Sequence, residues 1–401
     1  MLETTDATFR DPRWLRRHAL GLLEFYHQRS FDTTHGGFVA QVSDRDGTVY
    51  DGRAKLLPAT ARFVFNYSVG ALLDGPDYCD QGALHGIRHL ERHHRDPEHG
   101  GYVWLLDGRD VADGGKRCYG HAFALLAYAT ASRAGIEAAD PLIEPAFDLL
   151  DEHFWEDDHG LFRVELERDW TGTSEYRGQN ANMHACEALL AAHEATGEDR
   201  YLDRAYAVAD GLARRLTDAG EGLLWEHYDA DWNHDWEYNR DEPEDLFRPW
   251  GYQPGHLLEW SKLLCLLARE RDEAWLIERA EHFFDAAVES GWAADGGFVY
   301  NFDREGEPIA RDHYYWPLCE GVAAAARLHE ATGDERYAEW YDRIWGYADE
   351  HAINPKYGNW YFRLTPDHEV SERIDESPEV KVGYHPINAV YEVLRAGGHA
   401  E

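Results

Sequence analysis

Gly36-Gly37-Phe38, Gly100-Gly101-Tyr102, Gly160-Leu161-Phe162, Gly222-Leu223-Leu224, Gly296-Gly297-Phe298 and Gly358-Asn359-Trp360 are one motif written six times. Each is a glycine turn running into aromatic or aliphatic residues. The copies lie about 60 residues apart, with one longer interval between the fourth and the fifth, and a fixed period of that kind marks a repeat architecture. The repeat runs through the whole chain without a Gly/Ser or Pro-rich linker, so residues 1–401 are expected to form a single domain.

Between the turns the apolar residues follow a helical period. Residues 14–29 place Leu15, Leu20, Leu22, Leu23 and Phe25 near one face, and 58–73 opens with Pro58 at a first-turn position. The same pattern predicts helices over 79–94, 119–134, 141–153, 180–195, 201–216, 254–271, 275–290, 315–332, 337–351 and 386–396. Two helices therefore belong to each repeat. An internal echo supports the pairing: His193-Glu194-Ala195-Thr196-Gly197 returns as His329-Glu330-Ala331-Thr332-Gly333, with the glycine expected to cap one helix and a new helix expected to start at Tyr201 or Tyr337. The second helix of each pair is richer in small and apolar residues, as in Ala323-Ala324-Ala325-Ala326, which suits an inner ring. These features predict an all-α (α/α)6 barrel of twelve helices, with short β-hairpins or loops at one end. Two segments break the regularity, an aromatic-rich loop over 228–252 and a polar, acidic one over 365–383. The first reads as a lid or pocket wall, because long loops in compact domains are usually functional or disordered.

The formal net charge is -37, from 76 acidic and 39 basic residues. Such a surface repels nucleic acid and anionic membrane. It suits a halophilic setting, where molar salt screens self-repulsion within about 3 Å. The five cysteines include no CxxC pair, and the N-terminal residues have no apolar signal core. No apolar run approaches the roughly 20 residues of a membrane span. A cytoplasmic protein is expected; a homodimer is compatible with the sequence.

Polar residues gather at the starts of the expected inner helices. They include Arg62 in the second helix, Tyr119 in the fourth and Asn180 with His184 in the sixth. The eighth brings His256 with Glu259, the tenth Trp316 with Glu320, and the twelfth is entered through Lys381 and His385. In a closed ring these starts converge at one mouth. His256 and Glu259 lie at i, i+3, so the carboxylate is expected to orient the imidazole; His184 and Glu187 share that spacing. Each pair can also be read as a surface or capping contact, Arg62 as a structural ion-pair donor, and Trp316 as core. Histidines and carboxylates at this spacing also resemble pieces of metal sites, but HExxH and Cys clusters are absent, and no metal or other cofactor is expected.

At these residues the chain resembles the N-acylglucosamine 2-epimerase superfamily, over essentially its whole length. The most specific parts are Gln179-Asn180-Ala181-Asn182-Met183-His184, Pro254-Gly255-His256-Leu257-Leu258-Glu259-Trp260 and Trp316-Pro317-Leu318-Cys319-Glu320. The resemblance implies a catalytic pair at His256 and His385 and sugar contacts at Arg62, Tyr119, Asn180, His184, Glu259, Trp316 and Glu320. The Asn180 and His184 element looks like the mannose or sulfoquinovose isomerase branch; Tyr315 departs from that branch, where a second Trp is usual. Lys381 admits either an anionic sugar or a simple hydroxyl contact. The activity implied is aldose–ketose isomerisation, D-mannose to D-fructose or a related hexose, through a cis-enediol. His256 would open the sugar ring and His385 would take the C2 proton. A sugar 2-epimerase of the N-acylglucosamine or cellobiose type is the alternative. A glycoside hydrolase would need two opposed carboxylates, for which Glu259 and Glu320 are candidates. A noncatalytic sugar-binding repeat protein would form an open solenoid instead.

Overall fold

The computed structural model describes residues 9–371 and 380–400. Twelve helices of eleven residues or more fill these segments: α1 Pro12–Ser30, α2 Leu57–Leu72, α3 Tyr78–His89, α4 Cys118–Arg133, α5 Asp140–His153, α6 Gln179–Thr196, α7 Asp199–Ala209, α8 Pro254–Glu270, α9 Ala274–Gly291, α10 Tyr315–Thr332, α11 Glu335–Tyr347 and α12 Tyr384–Ala396. Wider helical turns extend α3, α7 and α11 by about one turn each. The acidic segment over 365–383 is described only in part, since residues 372–379 lie outside the described residues.

The two sets of helices differ in how they are covered. In α1 the buried residues Leu15, Ala19, Leu22, Leu23 and Tyr26 recur at steps of three and four, so one stripe faces inward. In α2 every residue from Leu57 to Gly70 is buried, and in α8 every residue from Pro254 to Cys265. A helix covered on all sides has neighbours all round. The even-numbered helices supply them to one another: α2 packs on α4, α4 on α6, α6 on α8, α8 on α10, α10 on α12, and α12 returns to α2. The inner ring is therefore closed. The odd-numbered helices form the outer layer, and α1 completes it against α12. This is the (α/α)6 barrel expected from the repeat.

The glycine turns connect each outer helix to the next inner one. Gly101 has φ +62, and a Cβ there would lie 2.5 Å from the Trp170 ring, so glycine is required twice over. The strands that follow join neighbouring repeats. Ala54–Leu56 pairs antiparallel with Leu105–Asp107, Lys116–Arg117 with Glu165–Leu166, Arg177–Gly178 with His227–Tyr228, and His313–Tyr314 with Arg363–Leu364. Tyr252 bridges to Phe302 at a fifth junction. Side chains close the sixth: Lys381 donates to Asp44 at 3.0 Å, and Asn354 and Asn359 donate to the Asp44 carbonyl. One end of the barrel is thus a ring of short hydrogen-bonded ladders. That ring fixes where the inner helices begin.

The glycine caps at Gly197 and Gly333 have φ +72 and +70, as the echo predicts. The following helices begin at Asp199 and Glu335 rather than at Tyr201 and Tyr337, because Asp334, for example, accepts from the Arg336 amide and starts the helix two residues earlier. All five cysteines are buried and unpaired. No helix among the described residues is long and apolar enough to cross a membrane.

Candidate active site

The mouth of the barrel at the inner-helix starts holds a cleft that opens to solvent. Arg62, Tyr119, Asn180, His184, His256, Glu259, Trp316, Lys381 and His385 all line it. Glu320 does not; it stands behind His385. Leu246 and Phe247 of the aromatic-rich loop form part of the wall, as the reading of 228–252 anticipates. Gln253, Tyr300, Tyr315 and Phe362 line it as well, without having been singled out for that role.

His256 sits in the first turn of α8. Its Nδ1 lies 2.9 Å from both carboxylate oxygens of Glu226. The i, i+3 spacing pointed instead to Glu259 as its partner, and that expectation fails. Antiparallel pairing of Gly178 with His227 brings Glu226 under the helix start from 30 residues away, whereas Glu259 turns toward His184. The network behind Glu226 fixes the proton. The Trp260 indole, which can only donate, gives a 2.9 Å hydrogen bond to Gln179 Oε1. Gln179 Nε2 must then donate, and it does so to Glu226 Oε2 at 2.9 Å. Glu226 Oε2 is thus an acceptor, and with Glu226 as the carboxylate His256 donates from Nδ1 and turns Nε2 to the cleft.

His385, in the first turn of α12, repeats the arrangement. Its Nδ1 donates to Glu320 Oε1 at 2.7 Å, and Glu320 Oε2 accepts from Lys262 Nζ at 2.7 Å. An ammonium has no acceptor, so Glu320 Oε2 accepts; burial raises the Glu320 carboxyl but Lys262 and His385 hold it below its usual range, so Oε1 accepts from His385 Nδ1 and Nε2 faces away from it. Burial lowers the His385 pKa, against the opposing pull of Glu320. The Trp316 ring stands between the histidines, 5.1 Å from His256 and 5.8 Å from His385, which places it at the site rather than in the core.

On the facing wall His184 Nδ1 lies 3.1 Å from Glu187 Oε2. Burial lowers the His184 pKa to about 4, so the ring is neutral at working pH. Glu187 also accepts from the Tyr384 hydroxyl at 2.6 Å and from Asn388 Nδ2 at 3.0 Å. Burial pushes its carboxyl upward, but Lys262 and these donors win and hold it at about 2. Glu259 is the contrary case. Burial, then the nearby Glu320, raises its pKa well above the carboxylate range, and its Oε1 has no hydrogen-bond partner in the protein. Of the three carboxyls around Lys262 it is the one most favoured to hold a proton, and it faces the cleft.

Arg62 donates to the Val380 carbonyl at 3.0 Å and to the Tyr119 hydroxyl at 2.7 Å, with its guanidinium 4.3 Å over the Phe123 ring. Among the described residues it has no ion-pair partner, so the structural ion-pair reading fails there. Arg62 Nε and Asn180 Oδ1 are buried without protein partners, one donor and one acceptor left for a ligand. Lys381 is different. Its ammonium is spent on Asp44 at 3.0 Å and on the Trp360 carbonyl at 2.8 Å.

Two overlapping groups, His184 with Glu187 and Glu259, and Glu259 with Glu320 and His385, hold metal-ligating atoms within 4.8 Å of one another. The Lys262 ammonium lies against the same three carboxyls, so a side chain already supplies positive charge there. Glu226 and Lys262 were not singled out from sequence. Lys262 had a signal, as a cation in the middle of an apolar inner helix; Glu226 had only its place just after the fourth glycine turn.

The sequence profile of the family described as N-acylglucosamine 2-epimerase matches residues 36–389. A D-mannose isomerase from Marinomonas mediterranea is 40% identical over 391 residues, covering 96% of this chain and 98% of its own. A crystal structure of D-mannose isomerase superposes with a TM-score of 0.93 at 40% identity, over 96% of this chain and 98% of the other. A cellobiose 2-epimerase from Bacillus thermoamylovorans B4167 has a TM-score of 0.83 at 20% identity, over 96% and 99%, a likeness of fold alone.

Proposed function

This chain belongs to the N-acylglucosamine 2-epimerase family, and we propose that within it the chain is an aldose–ketose isomerase converting D-mannose to D-fructose. One observation carries the reading: two histidines line one cleft, each with Nδ1–H held by a buried carboxylate and Nε2 left free. Isomerisation needs a base for a carbon-bound proton and an acid–base group for the sugar oxygens, and neutral imidazoles suit both near pH 7.

In this mechanism His256 passes a proton between the ring oxygen and O1 to open the sugar. Nε2 of His385 takes the C2 proton, a cis-enediol forms across C1 and C2, and a proton that has exchanged at least in part with solvent is returned to C1 to give the ketose. Neutral His184, whose Nδ1–H faces Glu187, offers Nε2 as an acceptor to a sugar hydroxyl. The Arg62 guanidinium stabilises charge on the enediol oxygens, and such a preorganised donor lowers the barrier by about 2–4 kcal/mol. Glu259, when it holds the proton, donates to a sugar hydroxyl, and Asn180 Oδ1 accepts from another. The Trp316 face covers the apolar side of the sugar.

The charge inventory favours a neutral sugar. Lys381 is committed to Asp44, which leaves Arg62 as the cation of the cleft among the described residues. A phosphorylated or sulfonated hexose would find one cation where tight binding calls for several. The test is substrate competition with purified protein. D-Mannose should give D-fructose in preference to turnover of mannose 6-phosphate, sulfoquinovose, N-acetyl-D-glucosamine or cellobiose. Faster turnover of any of these would replace the proposal.

A further inference from the structure

Lys262 is the most buried ammonium near the chemistry, yet it lines no part of the cleft. Its Nζ lies 2.7 Å from Glu320, 3.8 Å from Glu187 and 3.9 Å from Glu259. The helices packed on α8 bring the other charged and titratable groups: Glu187 and His184 from α6, Glu320 from α10, with His385 and Tyr384 on α12 and Arg62 on α2 acting from farther off. Three buried carboxyls thus face one buried ammonium. They are not equivalent. Glu187 accepts from Tyr384 and Asn388 and faces His184, and Glu320 accepts from His385 and Lys262. Glu259 Oε1 accepts from nothing. A proton entering this cluster belongs on the carboxyl without donors, since protonating either of the others would break hydrogen bonds already made.

We propose that Lys262 is a positioning residue of the isomerase site: its ammonium keeps Glu320 a carboxylate, so that Glu320 accepts from His385 Nδ1 and leaves Nε2 unprotonated toward the sugar. Without that charge Glu320 can take a proton itself. It would then donate to Nδ1, and the His385 proton would move to Nε2, where it blocks removal of the C2 proton. The inference rests on His385 acting as the base.

The experiment is the pH dependence of kcat and KM for D-mannose in K262M, and in K262Q should the methionine variant not fold, with H385A measured alongside. Loss of the ammonium favours protonation of both Glu320 and His385, so both push the acid limb of kcat the same way. The limb should move up by about one pH unit or more, for charges this close and this buried. At neutral pH kcat should fall while KM changes little, because Lys262 does not touch the cleft; activity should recover toward alkaline pH. K262Q should shift in the same direction by less, since its amide still donates to Glu320. A folded variant with the wild-type acid limb, or with a uniform loss at every pH, would overturn the role given to Lys262. Full activity in H385A would instead overturn the assignment of the base.

Discussion

Replacing Glu226 by glutamine tests the part of the site that sequence spacing misread. The side chain keeps its size and loses its charge. In the native network His256 Nδ1 and Gln179 Nε2 both donate to Glu226, and Gln179 Oε1 is held by the Trp260 indole. A glutamine offers one acceptor and one NH2 to two donors. If its oxygen serves His256, its NH2 meets the Gln179 NH2, and a buried donor is left without an acceptor. If its NH2 faces His256, the imidazole must shift its proton to Nε2. The first outcome costs about 1–3 kcal/mol for the orphaned donor, plus about 1 kcal/mol for exchanging a charge-assisted hydrogen bond for a neutral one. The second removes the lone pair that the mechanism requires. The first is a cost in stability; the second takes away a proton-transfer group, a loss of about 100- to 10,000-fold in kcat. The assay is fructose formation from D-mannose, with E259Q as the comparison and thermal melting as the check on folding. The reasoning is refuted if E226Q stays within about threefold of wild type in kcat, or if E259Q lowers kcat more than E226Q does.

Arg62→Met should lower kcat by about 2–3 kcal/mol in barrier, since Arg62 has a free Nε and no carboxylate to hold it elsewhere among the described residues; unchanged kinetics would exclude it from the reaction. Glu392, buried and accepting from Arg327 and Arg395 at 2.8 Å, has its carboxyl pushed up by burial but held far below its usual range by those two arginines. Its folded pKa is depressed, so its stabilising contribution is complete above the unfolded value near 4.5 and is lost as pH falls below it. E392Q should therefore be less stable than wild type at pH 7, by up to about 3–5 kcal/mol because Arg327 loses its buried counter-charge. The gap between their melting temperatures should narrow toward pH 3; a constant gap would contradict this. A net charge of -37 predicts a melting temperature that rises with salt between 0.1 and 2 M KCl, as screening shortens from about 10 Å to under 3 Å. A flat response would remove the basis for a halophilic setting.

The barrel was legible because its period is long-range in sequence and strict. With the wider turns that extend α3, α7 and α11 counted, helix ends fell within about two residues of those expected, since proline at first-turn positions and glycine caps act locally. The residues converging on the mouth were legible for the same reason: equal phase in a closed ring puts helix starts at one end. What stayed hidden was pairwise contact. His256 and Glu259 share a helix face, yet the carboxylate of Glu226, the residue just before the His227–Tyr228 strand, reaches the imidazole first, and only the register of Gly178 with His227 reveals it. Lys381 illustrates the converse. Sequence places it near the site, while its commitment to Asp44 depends on how the sixth repeat closes on the first.

The most direct test of the central claim is the fate of the C2 proton. D-Mannose incubated in D2O should yield D-fructose carrying solvent deuterium at C1, and the label should disappear with turnover in H385A. D-Fructose formed without any solvent deuterium, as a hydride shift would give, or D-glucose labelled at C2 as the main product, would contradict isomerisation through a histidine-formed enediol.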